Sequence, residues 1–287
     1  MTLSDSKRIA GVVGWPIAHS LSPQLHGFWL REYGLGGAYV PLPVRLHEFS
    51  VALRGLARSG FEGLNITLPH KEAAFALADE CDRAAIATGA ANIILFRGER
   101  VRAQNSDVEG LAASLEEELG TDAIRGGSVV VLGAGGASRA AILACDSLGA
   151  REIHVLNRTS SRAKDVVARL SAHAAATIGA ISPDEWPALA PAVRLVINAT
   201  SAGMKGRASP TVSLESLPRD AAVCDLVYNP LETPLLARAK ARRLRVIDGL
   251  GMLMHQAVSA FESFYGIRPE VSASLRAHLE EALRGGA

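Results

Sequence analysis

The stretch Ser128-Val-Val-Val-Leu-Gly-Ala-Gly-Gly-Ala-Ser-Arg-Ala140 decides the fold. Its first part, Ser128–Leu132, is apolar in the way of a parallel strand buried on both faces. Gly133 then permits a tight turn, Gly135 lets a pyrophosphate approach the backbone, and the following helix offers N–H groups at its positive end. This order of strand, glycine loop and helix predicts a Rossmann-type dinucleotide-binding unit, with an ordinary strand-to-helix turn as the alternative.

The next strand predicts which dinucleotide binds. Glu152–Leu156 is expected to form that strand, and Asn157, Arg158 and Arg162 follow it. A cofactor with a free ribose 2′-hydroxyl requires Asp or Glu at this strand end, whereas a guanidinium matches a 2′-phosphate. The pattern therefore predicts NADP(H) over NAD(H). Solvated surface charge is the alternative interpretation of both arginines.

Composition excludes several classes of protein. The chain has 287 residues, of which 48% are hydrophobic and 21% charged, and its net charge is +1. This is a globular balance, and so small a charge excludes nucleic-acid binding through bulk positive charge. We find no apolar run of the ~18 residues that a membrane span needs, and the first residues lead us to expect no secretory signal. The three cysteines form no Cys-x-x-Cys pair, which disfavours zinc or disulfide frameworks and favours a reducing, cytoplasmic compartment.

Strands and helices alternate along nearly the whole chain, which predicts an α/β protein with helices on the faces of its sheets. A break around residues 105–127 separates two α/β units, and the second ends near residue 245. The predicted strands are Ile9–Gly14, Ala38–Leu42, Phe61–Thr67, Ala91–Phe96, Arg100–Ala103, Ser128–Leu132, Glu152–Leu156, Leu195–Asn198 and Ala222–Val227, with a turn over Arg97–Glu99. The predicted helices are Ser22–Tyr33, Leu46–Ser59, Asp107–Leu119, Met252–Tyr265 and Glu270–Arg284.

The loop after the first strand carries two hydroxyl groups, those of Ser20 and Ser22. At a strand-to-helix turn both can donate to one carboxylate. Capping of the first helix is the alternative role for Ser22. His19 and His26 are potential bases, but neither has an acidic residue nearby in sequence to orient it, so we expect both to pack against the core.

A second polar cluster follows the third strand. Alternation places Asn65 and Thr67 on one face, and Lys71 begins a helix beyond the carboxyl end of the strand, where open α/β sheets have their clefts. A surface charge is the alternative for Lys71. Asp107 is expected to cap the helix that follows it; if it lies near Lys71 instead, the two can hold the ammonium in place and move a proton.

Nine motifs, in the same order along the chain, resemble those of the shikimate dehydrogenase family. They are GWPIAHSLSPQLH (14–26), GLNITLPHK (63–71), GAANII (89–94), QNSDVEG (104–110), GAGGASRA (133–140), NRTSSR (157–162), INATSAGM (197–204), DLVYNP (225–230) and DGLGMLMHQ (248–256). Ser106, in the fourth motif, stands where the family usually has Thr. The resemblance therefore covers nearly the whole chain.

This resemblance implies two α/β domains with a cleft between them. A substrate-binding and catalytic domain would comprise residues 1–107, completed by 246–287, and a Rossmann-type NADP-binding domain would comprise 108–245. The implied reaction is the reversible reduction of 3-dehydroshikimate to shikimate by NADPH, a step toward chorismate and the aromatic amino acids.

Residue roles follow from the same motifs. Lys71 and Asp107 would be the catalytic pair, and Ser20 and Ser22 would hold the substrate carboxylate. The implied contacts to the substrate hydroxyls are Thr67, Asn92, Tyr228 and Gln256. The implied cofactor contacts are Gly133, Ala134, Gly135, Gly136, Ala137, Asn157, Arg158, Thr159, Arg162, Leu226 and Gly249.

Several alternatives stay open at this point. A quinate/shikimate dehydrogenase that uses NAD(H) as readily is the nearest, although Arg158 and Arg162 argue against it. A relative that acts on aminoshikimate, and a catalytically inactive NADP(H)-binding sensor, are others. A methylene-folate dehydrogenase has a similar two-domain plan, but the pair of serines disfavours it. We expect a small-molecule substrate, no nucleic-acid or membrane partner, no metal, and a monomer or homodimer.

Overall fold

The computed structural model describes residues 8–98 and 100–285. The chain divides into two compact units, one with the residues up to Ser106 and from Gln256 onward, the other with Asp107–His255. Within the described residues each unit contains one six-stranded sheet with helices. The predicted α/β class is therefore confirmed. The turn predicted over Arg97–Glu99 includes Glu99, which lies outside the described residues.

The first unit has a mixed sheet. Its strands are β1 (Arg8–Gly14), β2 (Gly37–Pro43), β3 (Phe61–Ile66), β4 (Glu80–Cys81), β5 (Ile93–Arg97) and β6 (Arg100–Gln104), in the spatial order β2-β1-β3-β5-β6-β4. Strand β1 lies parallel to both β2 and β3, while β5 is antiparallel to β3. The carboxyl ends of β1 and β3 therefore lie side by side, and each leads into a polar loop.

Apolar side chains hold this first sheet against its helices. The helices are α1 (Ser22–Glu32), α2 (Phe49–Arg58), α3 (Lys71–Ala76) and α4 (Arg83–Thr88), with a short 3-10 turn at Leu46–Glu48. One core cluster consists of Val13, Phe49, Leu53, Leu64, Ile66, Ala74, Ala85, Ala91, Ile94, Phe96 and Ala103. Because α2 and the strands share this core, the strand ends are fixed relative to the helices that follow them.

The second unit has a wholly parallel sheet. Its strands are β7 (Ser128–Leu132), β8 (Glu152–Leu156), β9 (Thr177–Ile181), β10 (Val193–Asn198), β11 (Ala222–Asp225) and β12 (Arg245–Ile247), in the order β12-β11-β10-β7-β8-β9. This is the doubly wound order of dinucleotide-binding folds, with its topological switch point between β7 and β10. The predicted Rossmann-type unit is confirmed.

Helices accompany this second sheet. They are α5 (Asp107–Leu119), α6 (Gly136–Ser147), α7 (Ser160–Leu170), α8 (Trp186–Leu189) and α9 (Pro234–Ala241), with a 3-10 turn at Ala190–Ala192; α10 (Gly249–Tyr265) and α11 (Ala273–Gly285) close the chain. The central strand β7 is buried along its whole length, as its apolar sequence predicted. No helix in the described part of the chain is both long and apolar enough to cross a membrane.

Several short elements were not predicted from the sequence, among them α4, α8, β4, β9 and β12. Helix α4 begins after Asp82, whose carboxylate accepts a hydrogen bond from the Ala85 N–H at 2.7 Å, and ends at Gly89 in a left-handed conformation. Both signals are typical of helix ends, but the helix between them is too short to show a period. Strand β9 lies at the edge of the sheet, and only one of its five residues is buried.

Candidate active site

The loops that follow β1 and β3 are joined by direct contacts. The Trp15 N–H donates to the Leu68 carbonyl at 3.0 Å, and the Thr67 N–H donates to the Val13 carbonyl at 2.9 Å. A Cβ at Gly14 would lie 2.5 Å from Thr67 Cγ2, so any other residue there would push the loops apart. The structure thus brings together the loop with both serines and the loop with Thr67.

The two serines occupy the turn into α1. Ser22 is buried and is the first residue of the helix, while Leu21 is the N-cap and no side chain caps the helix. The prediction that Ser22 caps α1 is therefore wrong, because the turn enters the helix one residue earlier. The Ser22 N–H donates to Ser20 Oγ at 3.3 Å, which holds the two residues together. The Ser22 hydroxyl does not cap the helix and instead forms a side-chain hydrogen bond with Tyr39.

The two histidines of this region differ in environment. His26 is buried, and its ring stacks on Tyr39 with the ring centres 3.9 Å apart. Burial lowers the pKa of His26 from its usual 6.5 to about 3. The expected packing role is confirmed for His26 but is wrong for His19, which is exposed. Loss of water around a buried cation explains the direction of the pKa shift.

Asn92, Ser106 and Gln256 form a hydrogen-bonded group from three distant parts of the chain. The Asn92 amide donates to Ser106 Oγ at 3.0 Å and to Gln256 Oε1 at 3.2 Å. The Ser106 N–H returns a bond to Asn92 Oδ1 at 2.9 Å, and the Ser106 hydroxyl donates to the Gln256 carbonyl at 2.8 Å. Two predicted substrate contacts, Asn92 and Gln256, are thereby adjacent.

Tyr39 and Asn65 extend this group, and the sequence interpretation assigned neither of them to the site. The Tyr39 hydroxyl donates to Asn65 Oδ1 at 2.7 Å, and the Asn65 amide donates to the Asn92 carbonyl at 3.3 Å. Burial raises the pKa of Tyr39 well above its usual value, and a side-chain hydrogen bond with Ser22 acts in the opposite direction. The alternating pattern of β3 placed Asn65 beside Thr67, but no pattern in β2 singled out Tyr39.

Lys71 begins α3, and its backbone is tied to the segment before Asn92. The Lys71 carbonyl accepts a bond from the Ala91 N–H at 2.9 Å. The preceding residue, His70, is fully buried, stacks on Phe49, and donates through Nε2 to the Val44 carbonyl at 2.8 Å. These contacts fix where the Lys71 side chain starts.

Asp107 is 4% exposed and is itself the first residue of α5, so it lies one position after the helix cap. The expectation that Asp107 caps this helix is therefore wrong. It follows Ser106 directly in the chain and begins the second unit. Its pairing with Lys71 stays a prediction.

The glycine loop has the geometry that a bound dinucleotide requires. Gly133 has a φ of +111°, and a Cβ there would lie 2.8 Å from Thr200 Cγ2 and 2.9 Å from Ser138 Oγ. Gly135 is the N-cap of α6, is exposed, and has open space where a side chain would begin. A phosphate can therefore reach the backbone N–H groups at the start of α6.

Basic groups follow the neighbouring strand β8. Asn157 donates to the Thr159 carbonyl at 2.9 Å, which shapes the turn into α7. Arg158 in this turn and Arg162 in the first turn of α7 are exposed, so both guanidiniums can reach an anion in solvent. Helix N–H groups on one strand end and arginines on the next are the donor set that fits a dinucleotide with a 2′-phosphate.

Leu226 and Gly249 are in backbone contact. A Cβ at Gly249 would collide with the Leu226 carbonyl, so glycine is required for this approach. Leu226 directly follows β11, and its N–H donates to the Asn198 carbonyl at 3.0 Å, which places it beside the carboxyl end of β10. Tyr228 follows two residues later and is partly buried. These residues lie at the sheet edge where doubly wound folds bind their ligands.

A doubly wound dinucleotide-binding unit, together with a second unit of clustered hydroxyl and amide groups, defines a two-domain nicotinamide-dependent oxidoreductase. The family profile described as "Shikimate dehydrogenase substrate binding domain" matches residues 12–94, and "Shikimate / quinate 5-dehydrogenase" matches residues 115–207. A shikimate dehydrogenase (NADP(+)) of Methylobacterium radiotolerans is 47% identical over 279 residues, covering 96% of this chain and 98% of the relative. The chain belongs to the shikimate dehydrogenase family.

Solved structures agree with this assignment. Shikimate 5-dehydrogenase from Thermus thermophilus, in complex with NADP(H) and shikimate, is 35% identical with a TM-score of 0.84, covering 98% of this chain and 100% of that one. Quinate dehydrogenase from Corynebacterium glutamicum, in complex with NAD, is 28% identical with a TM-score of 0.86, covering 97% of this chain and 99% of that one. Both substrate classes therefore occur on this fold.

Proposed function

We propose that this chain catalyses the reversible NADPH-dependent reduction of 3-dehydroshikimate to shikimate, within aromatic amino-acid biosynthesis. The observation that carries the proposal is the hydrogen-bonded group of Asn92, Ser106 and Gln256, near the end of the buried strand β3. A small acid with several hydroxyls needs convergent amide and hydroxyl groups of fixed geometry, because its own polar groups lose water on binding.

Most of the residues that would hold the substrate belong to the first unit, and Tyr228 belongs to the second. Ser20 and Ser22 would donate to its carboxylate from the turn into α1, and this turn is fixed by the bond between their own atoms. The hydroxyl contacts would come from Thr67, Asn92, Tyr228 and Gln256. Because these groups are oriented before substrate arrives, the reacting carbon is positioned without a further loss of side-chain freedom.

Lys71 would act as the acid–base catalyst. A bound NADPH supplies the hydride to the ring ketone. The Lys71 ammonium would donate a proton to the oxygen that becomes negative, and the lysine would take the proton back in the reverse direction. Asp107 would hold the ammonium in place and assist the exchange of its proton.

The second unit would bind NADP(H). The loop of Gly133, Ala134, Gly135, Gly136 and Ala137 would contact the pyrophosphate, and Leu226 and Gly249 would contact the nicotinamide side. Asn157, Arg158, Thr159 and Arg162 would surround the 2′-phosphate. The exposed arginines support a preference for NADP(H) over NAD(H). A carboxylate at this position would repel the 2′-phosphate, and residues 157–162 contain none.

A quinate/shikimate dehydrogenase is the second candidate. The similarity to quinate dehydrogenase and the family profile named for both substrates favour it. Quinate and shikimate share the carboxylate and ring hydroxyls that these residues would bind. Arg158 and Arg162 disfavour the NAD(H)-dependent form of this alternative.

The finer features of the assignment belong to the same proposal. The first unit would serve as the substrate-binding domain and the second as the cofactor domain. We expect a monomer or homodimer, which sedimentation would measure, and a cytoplasmic location, which fractionation would test.

A four-way assay tests the proposal. Shikimate and quinate are each offered with NADP+ and with NAD+, and formation of the reduced nicotinamide is followed by absorbance. We expect the highest kcat/KM with shikimate and NADP+. Equal or higher values with quinate would favour the second candidate, and no turnover in any arm, together with tight NADP+ binding, would indicate a sensor.

A further inference from the structure

Asp225 is a fully buried carboxylate to which the proposed reaction gives no part. It is the last residue of β11 and lies opposite Asn198, the last residue of β10, in the parallel register. The Asn198 amide donates to Asp225 Oδ1 at 2.8 Å, and the Val227 N–H donates to the same oxygen at 3.1 Å. The Thr233 hydroxyl donates to Oδ2 at 2.7 Å.

Asn198 also forms hydrogen bonds with the loop that follows its own strand, β10. Its amide also donates to the Ala202 carbonyl at 3.0 Å. Its side-chain oxygen accepts the Thr200 hydroxyl at 2.7 Å and the Thr200 N–H at 3.2 Å. One carboxylate–amide pair therefore fixes the loop after β10 and the loop after β11 together.

Both loops touch positions assigned to the cofactor. Thr200 Cγ2 is the atom that a Cβ at Gly133 would meet at 2.8 Å, so Thr200 packs against the glycine loop. The Leu226 N–H donates to the Asn198 carbonyl at 3.0 Å, and the Leu226 carbonyl is in contact with Gly249. The pair thus lies beneath three separate cofactor segments, next to the switch point between β7 and β10.

The chemistry of the carboxylate explains why it holds these groups firmly. Burial raises the pKa of Asp225, while the bonds from Thr233, Val227 and Asn198 act to lower it. A buried carboxyl group is expensive to desolvate unless such donors satisfy it. Hydrogen bonds to a charged acceptor are also stronger than hydrogen bonds between neutral groups. Removing the carboxylate would therefore leave the buried donors of Asn198, Val227 and Thr233 without their acceptor.

We propose that Asp225 is a positioning residue for NADP(H), which acts through Asn198 and Thr200 on the glycine loop and through Val227 on the Leu226–Tyr228 segment. This inference rests on the proposed function, because the cofactor positions of Leu226 and Gly249 are assigned there. We therefore expect the Asp225 carboxylate to control the affinity for NADP(H) without contacting the cofactor.

The test compares Asp225→Ala and Asp225→Asn with Asp146→Ala as a matched control. Asp146 is another carboxylate of the second unit, and its Oδ1 accepts the N–H groups of Ala175 and Ala176 at 2.8 and 2.7 Å. It lies at the end of α6 remote from the glycine loop. NADP+ binding is measured by calorimetric titration, which needs no turnover, and KM and kcat are measured with shikimate.

We expect Asp225→Ala to weaken NADP+ binding and raise its KM by about 10- to 100-fold, the range that a displaced positioning group can cost. The kcat should fall much less. Asp225→Asn retains an acceptor for Asn198 and Val227, so it should recover most of the affinity. Asp146→Ala should lower the melting temperature and leave NADP+ affinity unchanged.

Two further results complete the test. If Asp225→Ala does not fold, Thr233→Val and Thr233→Ser replace it; only the valine variant, which loses the hydroxyl, should weaken NADP+ binding. NADP+ affinity in the Asp225 and Thr233 variants equal to that of the parent protein would overturn the inference, even where the parent enzyme turns over shikimate. A parent protein that binds NADP+ but has no turnover would instead contradict the proposed function, and leave the titration valid.

Discussion

Lys71 is the residue on which the proposed chemistry depends most. Replacing it with Ala removes the proposed proton donor and leaves the sequence of the glycine loop, which belongs to the other unit, unchanged. We therefore expect kcat to fall by about 10²–10⁴-fold, the usual contribution of a general acid, while NADPH affinity stays nearly unchanged. Steady-state kinetics and a direct NADPH titration measure the two quantities.

Two variants sharpen the Lys71 experiment. Lys71→Arg keeps the positive charge but cannot release a proton at ordinary pH, so it should remain slow if Lys71 transfers protons. Lys240→Ala removes an exposed lysine that pairs with Glu232, and its kinetics should match the parent. A rise in the shikimate KM at unchanged kcat would make Lys71 a binding residue.

We expect Arg158 to set the preference between the two nicotinamide cofactors. Arg158→Glu places a carboxylate where the 2′-phosphate of NADPH is expected, whereas NADH has no phosphate there to repel. We expect the KM for NADPH to rise far more than that for NADH. Arg169→Glu makes the same charge change at an exposed position in the last turn of α7, and it should affect neither. Equal changes for both cofactors at Arg158 would refute the assignment.

Sequence alone predicted a set of site residues, but it could not predict the contacts among them. Motifs placed Asn92 and Gln256 in one role, yet their direct hydrogen bond joins residues that are 164 positions apart. Tyr39 was missed because the sequence around a tyrosine in a half-buried strand does not show which residue its hydroxyl binds. Buried polar groups must be paired, so the buried amide of Asn65 was the one signal that a partner existed.

Two glycines of the first unit differ in whether the structure has room for a side chain at their positions. Gly55, in α2, is exposed and has open space where an added methyl group would lie, whereas a Cβ at Gly63, in β3, would collide with the Ile94 carbonyl and lie 2.5 Å from Phe264. Gly55→Ala should raise the free energy of unfolding by about 0.5–1 kcal/mol, because the helix loses a flexible residue. Gly63→Ala should lower it by about 1–3 kcal/mol, the usual cost of overpacking.

Denaturant unfolding of both glycine variants gives the comparison. Activity should be retained in Gly55→Ala, since the exposed face of α2 has no part in the site. A Gly63→Ala protein as stable as the parent would show that β3 can move away from β5 at little cost.

Elements with a strong period were predictable, and short ones were not. Strands β7 and β8 match their predicted bounds because unbroken apolar or alternating residues end at a glycine or a polar residue. Helix α10 begins at Gly249, three residues before the prediction, since two glycines in its first turn mask the helical pattern. Glycine is disfavoured inside helices, but here contacts with Leu226 and Ser114 leave no room for a side chain.

At the scale of the whole molecule, burial of neutral histidines links stability to pH. Burial lowers the pKa of His26 to about 3, and it also lowers the pKa of His70 and His154. In the unfolded chain such a histidine binds a proton near its usual pKa of 6.5. Between these values the unfolded state holds more protons, so stability falls as the pH decreases through 6.5 toward 3.

Of the three histidines, His26 should contribute most to this pH dependence of stability. Its ring is buried against Tyr39, and its Nδ1 has no hydrogen-bond partner among the described residues. His26→Phe keeps an aromatic ring there but removes the titration. Between pH 7 and pH 5 the parent should therefore lose about 2 kcal/mol more stability than the variant, at ~1.4 kcal/mol per pH unit below the unfolded pKa. Urea unfolding of both proteins at the two pH values measures this difference. Parallel losses in both proteins would mean that His26 becomes protonated in the folded state, and that its burial among aromatic rings does not keep it neutral.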